Sequence, residues 1–167
     1  MSVHEHHHAA GARHHLKVAV ITASDTRTTE TDESGKFISE LLKDAGHIIA
    51  HYALLPDDPD HIRRAVQERL ADSAVVIING GTGVAARDVT IEAVRPLLSK
   101  ELEGFGELFR MLSYQEIGSA AFLSRALAGI ASGKIVVALP GSPSACRLAI
   151  EKLLIPELGH MAHLLKL

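Results

Sequence analysis

Three glycines in four residues, Gly80, Gly81 and Gly83 with Thr82 between them, close an apolar run and precede a lone carboxylate, Asp88. Glycines let the backbone take positive φ and let a ligand approach the main chain with no Cβ in the way. The N–H groups exposed in such a loop bind anionic oxygens. A carboxylate beside an anion site repels the anion unless a cation lies between them. Asp88 therefore points to a magnesium-bound phosphate rather than a bare one. A simple tight turn is the competing reading, and three glycines with Thr82 are more than a turn requires.

Stepwise along the chain, apolar runs alternate with helical spacing. Residues 16–23 read as a strand ending at Ser24-Asp25, and residues 26–33 as a polar loop. Phe37, Ile38, Leu41 and Leu42 give residues 34–44 a helical period, which Gly46 ends. Residues 47–55 form a second strand stopped by Pro56-Asp57-Asp58-Pro59, and Asp60 is placed to cap a helix to about residue 71. Residues 75–78 form the third strand. A helix over 90–98 with a kink at Pro96 and another from Gly104 to about residue 117 follow. Residues 123–130 and 135–139 read as short strands around Ser132-Gly133. Pro140-Gly141-Ser142-Pro143 then leads into a helix through residue 154, and a last helix covers 156–165. Alternating strands and helices imply an α/β fold with a mainly parallel sheet covered on both faces. The runs are continuous rather than alternating, as strands buried on both sides require.

In such sheets ligands bind beyond the carboxyl ends of the strands. Those ends carry Ser24-Asp25-Thr26, Pro56-Asp57-Asp58, the glycine loop with Asp88, and Pro140-Gly141-Ser142-Pro143-Ser144. All four fall on one edge if the strands are parallel. Each also has a plain reading: Asp25 can make an Asx turn, Asp57 can be a turn residue, and Ser142 can cap a helix with Pro143 at its first position. Two nucleotide templates fail. Gly81 to Ala86 fits G-x-G-x-x-A, but it follows the third strand and no helix starts promptly after it; the Gly-Lys-Ser/Thr of a Walker A loop is absent.

The chain has 167 residues, of which 47% are hydrophobic, and a net charge of −3. That describes one domain with a sizeable core. No Lys/Arg run suggests nucleic acid or a membrane surface as partner. Cys146 is the only cysteine, so neither an intrachain disulfide nor a cysteine metal cluster can form. With no membrane span or signal peptide legible, a cytoplasmic location is expected. His4, His6, His7, His8, His14 and His15 mark residues 1–15 as a disordered leader, leaving residues 16–167 as the domain.

Gly80-Gly81-Thr82-Gly83, Arg87-Asp88-Val89-Thr90 and Pro140-Gly141-Ser142-Pro143, at this separation, resemble the molybdenum cofactor biosynthesis family called MoaB and MogA. The same domain occurs in eukaryotic gephyrin-like proteins. Ser24-Asp25-Thr26-Arg27, Pro56-Asp57 and Gly104-Phe105-Gly106-Glu107 also look like family segments, and Pro143-Ser144-Ala145-Cys146-Arg147 looks closer to the MoaB branch. The resemblance covers residues 16–165.

It implies a three-layer α/β/α sandwich like that of molybdopterin-binding domains, assembled as a homotrimer or homohexamer. It also implies a reaction: molybdopterin and Mg-ATP give adenylyl-molybdopterin and pyrophosphate. The family's two functional aspartates map onto Asp57 and Asp88, which would hold Mg²⁺, and its phosphate-binding glycines onto Gly80, Gly81 and Gly83. The Pro140–Ser144 loop and Asp25, with the adjoining Ser24, map to the pterin and substrate side. Thr82 and Ser142 would add hydroxyl donors, Ser144 lies in the same loop, and Arg87 is a phosphate clamp or a surface ion-pair partner. Many relatives have proline after the threonine, where this chain has Ile91, a helix-start residue without a functional group. The alternative function is a non-catalytic pterin-binding or carrier protein of the same pathway, or a scaffold subunit for other cofactor-assembly proteins.

The exposed partner surface is expected on residues 104–114, where Phe105, Leu108, Phe109, Met111 and Leu112 crowd more apolar area than one helix face needs.

Overall fold

The continuous apolar runs of residues 17–23, 75–79 and 134–139 form central strands covered by helices on both faces, while residues 48–55 form a half-exposed edge strand. The computed structural model describes residues 15–167. In chain order the elements are β1 (Lys17–Ala23), α1 (Glu33–Asp44), β2 (Ile48–Leu55), α2 (Pro59–Arg69), β3 (Val75–Asn79) and α3 (Thr90–Val94). There follow β4 (Lys100–Glu101), α4 (Glu103–Ile117), β5 (Leu127–Ala131), β6 (Lys134–Leu139), α5 (Pro143–Ala149) and α6 (Ile155–Leu165). One sheet runs β2-β1-β3-β6-β5-β4. β1, β2, β3 and β6 are parallel, while β5 returns antiparallel beside β6 and carries the short β4 on its edge.

Side chains of a strand alternate between faces, and here each face has its own core. Val18, Val20, Val75, Ile77, Ile135 and Val137 pack with Ile38 of α1, Phe109 of α4, Cys146 of α5 and Leu158 of α6. Ala19, Ile21, Val76, Ile78, Val136 and Ala138 pack with Ile62 and Val66 of α2 and Ile91 and Val94 of α3. The fold is the expected three-layer α/β/α sandwich.

Several boundaries differ from the sequence reading. Asp58, not Asp60, caps α2: its carboxylate accepts from Asp60 N at 3.0 Å and His61 N at 2.8 Å, and Pro59 takes the first helical position. Pro96 does not kink a long helix; α3 stops at Val94 and tightens into a 3₁₀ turn over Arg95–Leu97. The helices expected after Pro143 through residue 154 and over 156–165 are one continuous rod, whose turn widens over Ile150–Leu154 just ahead of Pro156. A proline has no N–H to return to the preceding turn. Residues 123–130 are strand only from Leu127 onward. Gly118, at φ 61°, closes α4 and starts a 3₁₀ segment, and the chain then passes the glycine loop before joining the sheet.

Phe109 is fully buried and Phe105 and Leu112 pack against the same core, so of the five apolar residues expected at a surface only Leu108 and Met111 are exposed. They are joined on the outside by Tyr114, Ile117 and Phe122. The His-rich leader falls, through residue 14, outside the described residues. His15, assigned with it, places Nδ1 2.6 Å from the carbonyl oxygen of Gly46. Among the described residues no helix is long and apolar enough to cross a membrane.

Candidate functional site at the carboxyl edge of the sheet

Because β1, β2, β3 and β6 run parallel, the loops that follow them meet at one edge. They enclose a cleft of about 360 Å³ bordered by Ser24, Asp25, Arg27, Asp57, Gly80 to Gly83, Arg87, Asp88, Pro140 and Gly141. The sequence-predicted residues therefore converge, with two exceptions. The Ser142 side chain accepts from Ala145 N at 3.3 Å and caps α5, and Ser144 is exposed on the first turn; neither borders the cleft.

The glycine loop is held by its carbonyl groups. Thr90 donates its hydroxyl to Gly80 O at 2.8 Å and its N–H to Gly81 O at 2.9 Å. Arg125 Nε donates to Thr82 O at 2.8 Å and to Gly83 O at 3.1 Å. Gly80 N–H continues the sheet by donating to Leu139 O at 3.0 Å, whereas the N–H groups of Gly81, Thr82 and Gly83 donate to no described residue. Gly80 and Gly81 have φ of 93° and 60°, where a side chain is strained. Close approach adds a second constraint. A Cβ on Gly80 would strike the carbonyl oxygen of Ala23, one on Gly81 would lie 2.7 Å from Asp57 Oδ1, and one on Gly83 would lie 2.6 Å from Asp88 Oδ2. Both carboxylates thus lean against the glycine loop.

Asp25 and Asp57 tie two strand ends together reciprocally. Asp25 N donates to Asp57 Oδ2 at 3.2 Å, and Asp57 N donates to Asp25 Oδ1 at 3.0 Å. The other oxygen of Asp57, Oδ1, is buried with no hydrogen-bond partner. Burial pushes the Asp57 carboxyl above its ordinary range, and the charges of Asp25 and Asp88 add to this against the hydrogen bond from Asp25 and the attraction of Arg87. Asp88 Oδ2 accepts from Ala85 N at 2.9 Å, which folds the segment after the glycines back on itself. Arg87 is exposed at the rim and enters no ion pair among the described residues.

No group of three His, Cys, Asp or Glu side chains among the described residues could hold a metal alone. Magnesium does not need one: it binds through one or two carboxylates plus substrate phosphates. The orphaned Asp57 Oδ1 and the Asp88 carboxylate, both against a loop with free N–H groups, fit that requirement.

Two parts of the site escaped the sequence reading. On the β1 side, Arg27 NH2 donates to Gly141 O at 2.7 Å, where Ser34 Oγ also donates at 2.7 Å, and Arg27 NH1 reaches Asp32 Oδ1 at 3.3 Å. Asp32 lies in a segment whose sequence reads as a polar loop, yet it is fully buried at the N-terminus of α1. On the other side stands Arg125; its only sequence signal was an arginine inside an apolar segment read as a buried strand.

Comparison with known proteins agrees with the fold. Residues 19–160 match the family model described as a probable molybdopterin binding domain. The chain is 53% identical over 164 residues to molybdenum cofactor biosynthesis protein B of Bacillus subtilis (strain 168), covering 96% of this chain and 95% of that one. A crystal structure of molybdenum cofactor biosynthesis protein B superposes with a TM-score of 0.90 at 52% identity, over 93% of this chain and 98% of the other. The tungsten cofactor synthesizing protein MoaB from Pyrococcus furiosus superposes with a TM-score of 0.81 at 37% identity, over 91% and 98% of the two chains.

Proposed function

The chain belongs to the MoaB/MogA family of probable molybdopterin binding domains, and from that premise we propose that it serves molybdenum cofactor biosynthesis as a molybdopterin adenylyltransferase. The observation that carries the reading is the buried, unpartnered Oδ1 of Asp57 beside Gly81. A carboxylate oxygen left without a donor, next to main-chain N–H groups that are also unused, is suited to a cation with an anion on it.

In the proposed reaction a terminal phosphate oxygen of molybdopterin attacks the α-phosphorus of ATP. The new P–O bond forms as the bond to the β-phosphate oxygen breaks, and pyrophosphate leaves with that electron pair. The nucleophile is anionic at neutral pH, so the site needs alignment and charge neutralisation more than a strong base. Asp57 and Asp88 would hold Mg²⁺, which neutralises phosphate charge when bound. The N–H groups of Gly81, Thr82 and Gly83 stabilise charge gathering on the transferred phosphorus. Arg87 at the rim supplies a mobile cation, and Arg27, braced by Asp32, sets the Gly141 carbonyl on the pterin side.

The test is isotope exchange of pyrophosphate into ATP, with Mg²⁺ and with or without molybdopterin. Exchange that depends on molybdopterin is the expected result. A folded protein that binds molybdopterin and supports no exchange would be a pterin carrier instead. We also place the chain in a homotrimer or homohexamer, through the exposed Leu108, Met111, Tyr114, Ile117 and Phe122. Light scattering at micromolar concentration should give three or six times the chain mass, and a monomer would remove that assignment.

A further inference from the structure

Arg125 has no role in the reading above beyond its place in the cleft wall, yet its contacts are unusually complete. Nε donates to Thr82 O at 2.8 Å and Gly83 O at 3.1 Å, and NH2 donates to Asp88 O at 3.3 Å. NH1 and NH2 bind the two carboxylate oxygens of Glu92 on α3, NH2 at 3.2 Å. One guanidinium therefore grips the glycine loop, the backbone of Asp88 and the helix that follows. With Thr90 on Gly80 and Gly81, every carbonyl from residue 80 to 83 is occupied. A peptide whose carbonyl is held on one side presents the N–H of the next residue on the other, so Thr90 orients the N–H groups of Gly81 and Thr82 and Arg125 those of Gly83 and Val84; none of the four donates to a described residue.

We propose that Arg125 is the positioning residue of this anion site, aligning the free N–H groups of the loop for the phosphate chain of a nucleotide. By clamping the carbonyls of Thr82 and Gly83 it sets the N–H groups of Gly83 and Val84, which share those peptides, and by holding Asp88 O it fixes the loop's return. Its charge is matched by Glu92, so its effect is geometric. A lysine would keep the charge, but a single ammonium cannot span three carbonyls and a bidentate carboxylate. The proposal rests on the nucleotide reading of the cleft, and its test separates the two.

The probe is Mg-pyrophosphate, followed by amide NMR and calorimetry on the full chain. In the wild type it should shift the amides of Gly81, Thr82 and Gly83. Arg125→Lys should weaken its affinity about tenfold, as expected for loss of a bidentate charged contact. The amides of Gly83 and Val84 should move or broaden before ligand is added, while those of Ser24 and Asp25 across the cleft stay in place. Glu92→Gln, which keeps the guanidinium and loosens its anchor, should lose about threefold at the same amides, and it decides the matter if Arg125→Lys does not fold. Wild-type affinity with unmoved loop amides in a folded variant overturns the proposal. So does displacement spread equally over both walls, which would mark Arg125 as merely structural, and so does a wild type whose loop amides ignore Mg-pyrophosphate. If the binding result holds but molybdopterin-dependent exchange is absent, Arg125 stands and the adenylyltransfer reading falls. If exchange is present and Arg125→Lys behaves as wild type, only Arg125 falls.

Discussion

Asp32 and Asp57 sit at the same edge of the sheet, and the fold treats their carboxylates in opposite ways. Every lone-pair direction of Asp32 is used. Oδ2 accepts from the hydroxyls of Thr22 and Tyr52, each at 2.6 Å, and Oδ1 accepts from Gly35 N at 3.1 Å and Arg27 NH1 at 3.3 Å. Burial alone would raise its pKa, but these donors outweigh burial and hold the carboxyl below its ordinary range. Asp57 has one oxygen on a backbone N–H and the other buried and unpartnered, and its pKa is raised. A carboxylate that the protein satisfies holds the protein together; one that it leaves unsatisfied is waiting for charge from outside. Asp32 braces the wall that carries Arg27 and Gly141, and Asp57 borders the cleft with one oxygen left open.

Removing the two groups should separate stability from activity. Asp32→Ala strands Thr22, Tyr52 and the Gly35 N–H without their acceptor, and should cost about 3 kcal/mol of stability. For a chain of this size that is a fall of roughly 6–12 °C in melting temperature, which calorimetry would record. An unchanged melting temperature would deny Asp32 its bracing role.

Asp57→Asn and Asp88→Asn should each lower adenylyl transfer about 10²–10³-fold, the usual cost of losing a placed electrostatic group. Asp57→Asn should at the same time leave the metal-free protein as stable or more stable, because it removes a charge that the fold disfavours. Steady-state rates and thermal melts on the same sample check both halves. A destabilised Asp57→Asn protein would erase the contrast with Asp32.

Tyr52→Phe removes one donor to Asp32 and should cost about 1 kcal/mol, measurable by urea denaturation. The phenol's own pKa is raised by burial and then by Asp32, so its proton is held in the folded state.

Acid should sharpen the same comparison with a smaller effect. Asp32 has a lowered folded pKa, so its contribution to stability is complete above the unfolded value of about 3.9 and is lost as pH falls through the lower folded value. Asp57 has a raised folded pKa, so its contribution is complete below about 3.9 and is lost as pH rises through the folded value. On acidification Asp57 should therefore take up its proton first, and divalent-metal affinity should fall at a pH where the melting temperature is still near its plateau. Parallel titration of Mn²⁺ binding and melting temperature tests the order; coincident loss would contradict it.

The glycine loop and the carboxylates at strand ends were legible because local chemistry constrains them. Gly80 and Gly81 hold positive φ, and a Cβ on Gly80 would strike backbone, which is what favours glycine at both. The parallel sheet was legible from continuous apolar runs, since burial of both strand faces writes itself into composition. Asp58 and not Asp60 as a helix cap, and Ser142 as a cap outside the cleft, lay within the resolution of turn chemistry but not of spacing alone. Arg125, Asp32 and the grip of Thr90 on the glycine loop were not legible, because these roles rest on partners distant in sequence or on carbonyls whose direction only the folded loop defines. The sequence by itself determined which loops gather at the carboxyl edge of the sheet. The tertiary structure decided which carboxylate is satisfied and which is left open, because hydrogen-bond satisfaction of a buried group depends on donors that arrive from other elements.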